Sequence, residues 1–472
     1  MAVHDELTLV IDIGKSHAKL LLVDATGAVV ERHGRDNASV ASPLDYPALD
    51  VQGLERWMAQ TLRRSAHARR CRRAIVSTHG AAFVGLNDAG LAWEPLDYEF
   101  AALDAHPALA REFDAEADDF SCTGSPSLPM GLNAARQLAY VQAVHPQAWA
   151  HTRCLLPYPQ YWAWVLCGQR ASEVSSLGCH THLWSPQAGE FSNQARRRGW
   201  AALFAPLRHA WEVLGTVRAE VAQTWGLHPH CEVHVGVHDS NACLARYLDS
   251  VIAPECALTV VSSGTWTVLM APGAPTSGLQ SQRDMLVNVD VLGRATPTAR
   301  FMGGREYAAL LDGAAPDLGN AVDVQNLIDR YVLAVPAFAA QGGPFRGSTG
   351  QIRSLHPLSA SERSALAAVY CAQMTAWLME QLWQGVPRQR VLVVEGPLAH
   401  NALYLGVLQS LLPQCHCWAS LDALEGTARG AWMLAHWGHG AAPMLERVQA
   451  LDLRWGDYHA QWLAALPMAV QA

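Results

Sequence analysis

The sequence reads as an α/β protein built from two similar halves, and three observations predict this. The chain opens with two apolar runs, Leu7 to Ile13 and Ala18 to Val23, joined by a tight turn at Gly14-Lys15-Ser16. The same shape returns at Ala257 to Met270, where Gly264 stands as Gly14 does in the first copy. Segments of helical period alternate with short apolar runs through the rest of the chain. Two halves that each open on a phosphate-sized turn point to a duplication with a cleft between the copies.

The elements follow in order. Asp24-Ala25-Thr26-Gly27 is a turn before Val29-Val30, so the chain starts as a β-meander. From Pro47 to Arg73 the pattern is helical, with Leu54, Trp57, Met58, Thr61 and Leu62 at helix spacing. Ala74 to Thr78 is a buried strand ending at His79-Gly80, and Asn87 to Gly90 is a turn. Asn133 to Val144 and Pro159 to Leu166 are helices. Cys231 to Val237 is a strand, followed by a short helix over Asn241 to Leu248. In the second half, Ser361 to Glu380 is a long helical pattern broken by a short turn, with Gly385 and Pro387 after it. Arg390 to Pro397 is a strand running into a glycine turn, and Asn401 to Leu412 is a helix with Leu403, Val407, Leu408 and Leu411 on one face. Glu425 to Ala435 is helix-like and rich in small residues, which permits close packing. Residues 271–300 and 334–356 are rich in Pro, Gly, Ser and Thr and read as loops.

Composition excludes several classes. The chain has 472 residues, 50% of them apolar and only 16% charged, so it is not a disordered chain. Its formal charge of -8, with no long basic run, disfavours general nucleic-acid binding. No stretch approaches ~20 consecutive apolar residues. The opening Met1-Ala2-Val3-His4-Asp5-Glu6 lacks a basic region, so no secretory leader is expected. The 11 cysteines are scattered, with no C-x-x-C pair, and the 21 histidines form no ligand pattern. A reducing, cytoplasmic setting is expected.

Five short motifs carry the chemistry. Gly14-Lys15-Ser16 is not a P-loop, because Leu9 stands where the first glycine belongs and a strand follows. Consecutive backbone N–H groups in such a turn still form an anion nest, and Asp12 beside it is placed to hold a metal-bound water; an ordinary tight turn fits the same residues. His238-Asp239-Ser240 follows a strand and precedes a helix. Asp239 there suits a base taking a proton from a hydroxyl, and equally suits a helix cap. Ser263-Gly264-Thr265 offers hydroxyls to phosphate oxygens. Gly303-Gly304 and Glu395-Gly396-Pro397 permit close approach of a nucleotide, or are plain turns. Trp93, Tyr98, Trp162 and Trp164 are able to stack on a sugar face, although with 17 Trp most serve the core.

Asp12 to Ser16, His238 to Ser240 and Ser262 to Thr267, in this order and spacing, resemble the FGGY-type carbohydrate kinases, the last two motifs most like the rhamnulokinase branch. The resemblance implies a two-domain actin-like (ribonuclease H-like) fold with a central cleft. It implies residues 1–240 carrying most sugar contacts and 241–472 most nucleotide contacts. It further implies ATP and Mg²⁺. Asp239 matches the catalytic base, Asp12 the metal-associated carboxylate, and Gly14, Lys15 and Ser16 the first phosphate turn. Gly264 and Thr265 match the second turn. Gly303, Gly304, Gly396 and Asn401 fall on the nucleotide side. Thr78, His79, Gly80, Trp93, Tyr98 and His238, with Asp239, fall where sugar is bound. Lys15 stands where a small hydroxyl residue is usual, Glu395-Gly396-Pro397 replaces consecutive glycines, and Ala82 and Glu99 also depart from the pattern.

These readings converge on an ATP-dependent kinase for a hydroxyl of a small sugar, a ketose, deoxyketose or polyol, acting by in-line transfer with domain closure excluding water. A non-catalytic actin-like protein binding nucleotide and metabolite is the alternative. A structural protein or a phosphate-ester hydrolase of the same fold ranks after it. A sugar is the expected partner, with no nucleic acid and no membrane, and a homodimer stays open.

Overall fold

The structure is a computed structural model and describes residues 6–248, 257–386, 390–422, 426–439 and 442–467. Glu425, the expected start of the small-residue helix, and Pro387 lie outside the described residues. The chain divides into two compact units. The first holds Met1–Asp249, Val287–Ala295 and Leu424–Ala442; the second holds Ser250–Leu286, Thr296–Ala423 and Pro443–Ala472. This division differs from the single boundary expected after residue 240, since the first unit keeps the helix after His238 and takes two later segments.

The sheet of the first unit runs in the order Val213–Thr216, Glu232–His234, Cys71–Thr78, Leu7–Ile13, His17–Val23 and Val29–Asp36. Leu7–Ile13 is buried along its whole length, as a strand covered on both faces must be, which is why it reads as an unbroken apolar run. It pairs antiparallel with His17–Val23 and parallel with Cys71–Thr78, putting Asp12 opposite Lys19 on one side and Ser77 on the other. Val237–His238 pairs parallel with the end of Cys71–Thr78, with His238 opposite Thr78. The strand expected over Cys231 to Val237 is broken in two at Gly236. Its φ of +90° suits glycine, and a Cβ there would stand 2.7 Å from the Val76 carbonyl oxygen.

The second unit repeats this plan. Thr267–Met270 lies antiparallel between Ala295–Phe301 and Ala257–Ser263. Ala257–Ser263 pairs parallel with Arg390–Glu395, which pairs parallel with Cys415–Ser420. Its long helix Ala360–Trp383 runs unbroken for 24 residues, where a break was expected. No Gly or Pro interrupts it, Ser359 and Glu362 form a reciprocal cap, and almost every residue from Ser364 onward is buried, so apolar residues on all faces hide its period. The segments read as loops contain strands at Met285–Val289, Ala295–Phe301, Leu333–Val335 and Gln351–Arg353. Gly293 and Pro297 obscured the first pair.

Two packing features of the first unit bear on the helix Asp239–Ala245. The helix Gly426–Ala435 crosses it so closely that a Cβ on Gly430 would sit 1.7 Å from the Ala242 carbonyl oxygen. Below it lies the fully buried Glu173. That carboxylate accepts from Ser175 N at 3.0 Å and Ser175 Oγ at 2.5 Å, and Ser175 Oγ accepts from His238 N at 3.3 Å. Burial pushes Glu173 up to about 7, against its hydrogen bonds and with help from the charge of Asp290.

Gly430→Ala is expected to destabilise the protein by roughly 1–3 kcal/mol, read as a lower urea midpoint, because the obstructing atoms are backbone. For Glu173 the folded pKa is raised, so its contribution to stability is full below the unfolded value and is lost as pH rises through about 7. Glu173→Gln is therefore expected to gain roughly 1–3 kcal/mol on the wild type between pH 5 and pH 8 in urea titrations.

Candidate active site

In the first unit the parallel strands Leu7–Ile13, Cys71–Thr78 and Val237–His238 finish side by side. Their carboxyl ends therefore deliver Asp12, His79 and Asp239 to one edge of the sheet, the position where open α/β sheets bind ligands. Asp12 is 8% exposed. The His79 backbone N–H donates to the Ile13 carbonyl at 2.9 Å, fixing the crossing. Burial holds the His79 imidazole below its ordinary range, with the charge of Asp239 opposing. Burial also raises the Cys243 thiol, and the fields of both Asp239 and Asp12 reach it.

Asp239 is the first residue of its helix. Its Oδ1 accepts from Ser240 N at 2.6 Å and from Ser240 Oγ at 3.2 Å, and the His238 Nε2 lies 3.1 Å from it. Among the described residues Oδ2 has no hydrogen-bond donor, and a third of the side chain is exposed. One oxygen is thus fixed and the other free to receive a proton. His238 is almost wholly buried, with Asn241 Nδ2 at 3.3 Å from Nδ1 and the Cys179 thiol at 3.6 Å from Nε2, which also lies 3.1 Å from Asp239 Oδ1. Burial keeps this imidazole below its usual range. Gly80 makes room for it, since a Cβ there would lie 2.8 Å from His238 Nε2. His238, expected among sugar contacts, is 4% exposed and sits directly beside Asp239.

The first turn is a hairpin closed by Gly14 N donating to His17 O at 2.8 Å, with Asn37 Nδ2 donating to Gly14 O at 2.8 Å. Ser16 is exposed at its tip. The Lys15 ammonium, in the turn expected to hold phosphate, is 2.5 Å from Asp97 Oδ2, 3.3 Å from Glu99 Oε2 and 5.4 Å over the Tyr98 ring. Asp97 is buried, which opposes its ionisation. Hydrogen bonds from Lys15, Ser39 and the Glu99 backbone, together with the Lys15 charge, outweigh burial and hold it below the usual carboxylate range. Tyr98 meets the His79 ring edge-on at 5.4 Å and is pushed up to about 12 by burial and by nearby carboxylates including Asp239. Asp97 escaped the sequence reading; the signal was a lysine in a turn that otherwise holds small residues.

Two expected sugar contacts belong to the core. Thr78 is fully buried, its hydroxyl bonded to the His79 carbonyl at 3.0 Å. Trp93 is 2% exposed, packs over Gly85 and donates its indole N–H to Thr152 Oγ1 at 3.0 Å.

In the second unit the parallel strands ending at Ser263 and Glu395 open onto a cavity of about 660 Å³. Gly264, Thr265, Gly304 and Asn401 line it, joined by Arg305, Tyr307, Asp317 and His400, which sequence reasoning missed. Ser263 Oγ donates to Glu395 O at 2.5 Å and accepts from Leu398 N at 2.9 Å, tying the two strand ends together. Asn401 caps the helix Ala402–Leu411 through Tyr404 N at 2.9 Å and donates to the Tyr307 hydroxyl at 2.9 Å. Gly304 lies against the second turn, where a Cβ would meet Gly264 O at 2.3 Å. Gly303 faces Thr267 and is buried, so its smallness serves helix packing rather than the cavity. Gly396, at φ +78°, backs onto Ser263 O and shapes the turn without lining the cavity.

Residues 255–443 match the family described as "Carbohydrate kinase FGGY, C-terminal domain". The chain is similar over 97% of its length, at 34% identity and a TM-score of 0.88, to a carbohydrate kinase from Novosphingobium aromaticivorans, covering 98% of that chain. It shares its fold with xylulose kinase from Rhodospirillum rubrum (17% identity, 97% and 98% of the two chains, TM-score 0.74) and with Plasmodium falciparum glycerol kinase with ADP (12% identity, 98% and 96%, TM-score 0.73). No curated protein sequence matches the chain. Among the described residues no helix is long and apolar enough to cross a membrane. The mixed α/β architecture is the two-domain actin-like (ribonuclease H-like) one of these kinases, and the expectation of a non-catalytic binding protein gives way to that of an enzyme. With a relative this similar over nearly its whole length, the chain belongs to the FGGY family of carbohydrate kinases.

Proposed function

We propose that this ATP-dependent sugar kinase phosphorylates a hydroxyl of a small ketose, deoxyketose or polyol, with Asp239 as the general base. The observation that carries the reading is the asymmetry of the Asp239 carboxylate: Oδ1 is held by two Ser240 donors with His238 Nε2 3.1 Å away, and Oδ2 has no donor among the described residues. A hydroxyl placed at Oδ2 surrenders its proton as its oxygen attacks the γ-phosphorus of ATP. The Gly14-Lys15-Ser16 and Ser263-Gly264-Thr265 turns supply backbone N–H groups and hydroxyls to phosphate oxygens. The nucleotide base and ribose take the 660 Å³ cavity, where Arg305, Asp317 and Asn401 offer polar contacts.

The cation of the reaction is Mg²⁺ in this reading. Such a site needs only one or two carboxylates beside substrate phosphates and water. Asp12 fits, a nearly buried carboxylate at a strand end whose field reaches the same thiol as that of Asp239. Bound there, the ion would offset negative charge on the phosphates. Tyr98 and His79, in edge contact within the field of Asp239, form the sugar-side surface. Among branches, the His238-Asp239-Ser240 motif supports one close to the rhamnulokinases. Free thiols at ten described cysteines support a reducing, cytoplasmic setting.

Coupled ADP release with Mg²⁺ and ATP against pentuloses, hexuloses, deoxyketoses and polyols tests the reading. Turnover of one or a few supports it, and no turnover across the panel by folded, ATP-binding protein overturns the substrate class. Asp239→Asn is expected to lower kcat at least ~10²-fold while nucleotide affinity stays within about threefold. Retention of a tenth of wild-type kcat would remove Asp239 from the role of base. His238→Ala is expected to lower kcat ~10–10²-fold with nucleotide affinity unchanged, because the base loses its orientation.

A further inference from the structure

We propose that Lys15 is a positioning residue for the sugar side of the site, its ammonium tying the first glycine turn to Asp97 and Glu99 rather than binding phosphate. The proposal rests on the sugar-side surface of Tyr98 and His79. The two carboxylates differ in kind. Glu99 is largely exposed at 3.3 Å, while Asp97 is 2% exposed at 2.5 Å and also accepts from Ser39 Oγ and from Glu99 N at 2.9 Å. Asp97 is in turn fixed through its backbone N–H, which donates to Pro47 O at 3.0 Å. An ammonium that left for a phosphate oxygen would strand a buried carboxylate, a far larger loss than breaking an exposed pair. The Lys15 chain passes over the Tyr98 ring, and that ring abuts His79, so one side chain sets both the turn and the segment carrying Tyr98. A space of about 20 Å³, the size of one water, lies among Lys15, Asn37, Ser39, His79, Asp97 and Tyr158.

The test compares wild type, Lys15→Met, Asp97→Asn, the double variant and Lys15→Arg by amide hydrogen exchange, AMP-PNP binding with Mg²⁺, and KM with xylulose, rhamnulose and glycerol as probes. Amides of residues 96–100 are expected to exchange at least tenfold faster in both single variants, with the double variant no faster than the faster single. Lys15→Arg is expected to restore protection, and AMP-PNP affinity to stay within threefold of wild type. KM for any probe turned over is expected to rise at least tenfold in Lys15→Met. A tenfold or greater loss of AMP-PNP affinity in Lys15→Met, or unchanged exchange in the single variants, overturns the proposal. Should Lys15→Met fail to fold, Asp97→Asn gives the same exchange and affinity readouts. Wild-type protein that turns over none of the probes counts against the substrate reading alone, since exchange and AMP-PNP binding still decide the role of Lys15.

Discussion

The parallel pairing of Leu7–Ile13, Cys71–Thr78 and Val237–His238 is the constraint on which the rest of the site depends. Parallel ladders set each strand's end against its neighbour's, so residues far apart in sequence surface together only if the register holds. Asp12 opposite Ser77, and Thr78 opposite His238, bring Asp12, His79 and Asp239 to one edge. Gly236 makes this possible, because the strand toward His238 must bend there against the Val76 carbonyl.

Around Asp239 the fold spends its buried polar groups on orientation. His238 Nδ1 meets Asn241, its Nε2 meets the Cys179 thiol and lies 3.1 Å from Asp239 Oδ1, and Ser175 Oγ accepts from the His238 backbone N–H. Burial holds both histidines near the carboxylate below their ordinary range, against the pull of the Asp239 charge. Glycines make the close approaches. Gly80 clears space for His238, and Gly430 lets its helix lie on the carbonyl of Ala242, in the helix Asp239 begins. The geometry around Asp239 is a packing result as much as a hydrogen-bonding one.

Much of this was legible in the sequence wherever the signal was local. The two strand–turn–strand units announced themselves because strands buried on both faces are continuous apolar runs bounded by a glycine. Asp239 was legible because a strand ran straight into it and a helix out of it. The hidden features were tertiary. Lys15 looked like a phosphate ligand because its partner Asp97 lies 82 residues on, and no periodicity links a turn to a distant loop. Trp93 and Thr78 looked like sugar contacts because residue type says nothing of which face is covered. The helix Ala360–Trp383 seemed broken because burial on every side erases amphipathic period. The later segments of the first unit, Val287–Ala295 and Leu424–Ala442, belong to it by packing alone.

The two units share a strand plan yet offer different chemistry, and the difference lies in the element that succeeds each strand. In the first unit the last parallel strand passes directly into a helix whose first residue is Asp239, so an ionisable group stands at the sheet edge. In the second, Glu395 gives way to Gly396 at φ +78° and then a short 3₁₀ turn, Pro397–His400, before Asn401 starts a helix. That turn carries the chain away from the strand end, and the space it leaves is the cavity lined by Tyr307, Ala308, Leu398 and Asn401. A strand that meets a helix at once leaves a carboxylate at the sheet edge, while one that detours leaves a cavity. A duplicated sheet can in this way place different groups at equivalent strand ends without altering its topology.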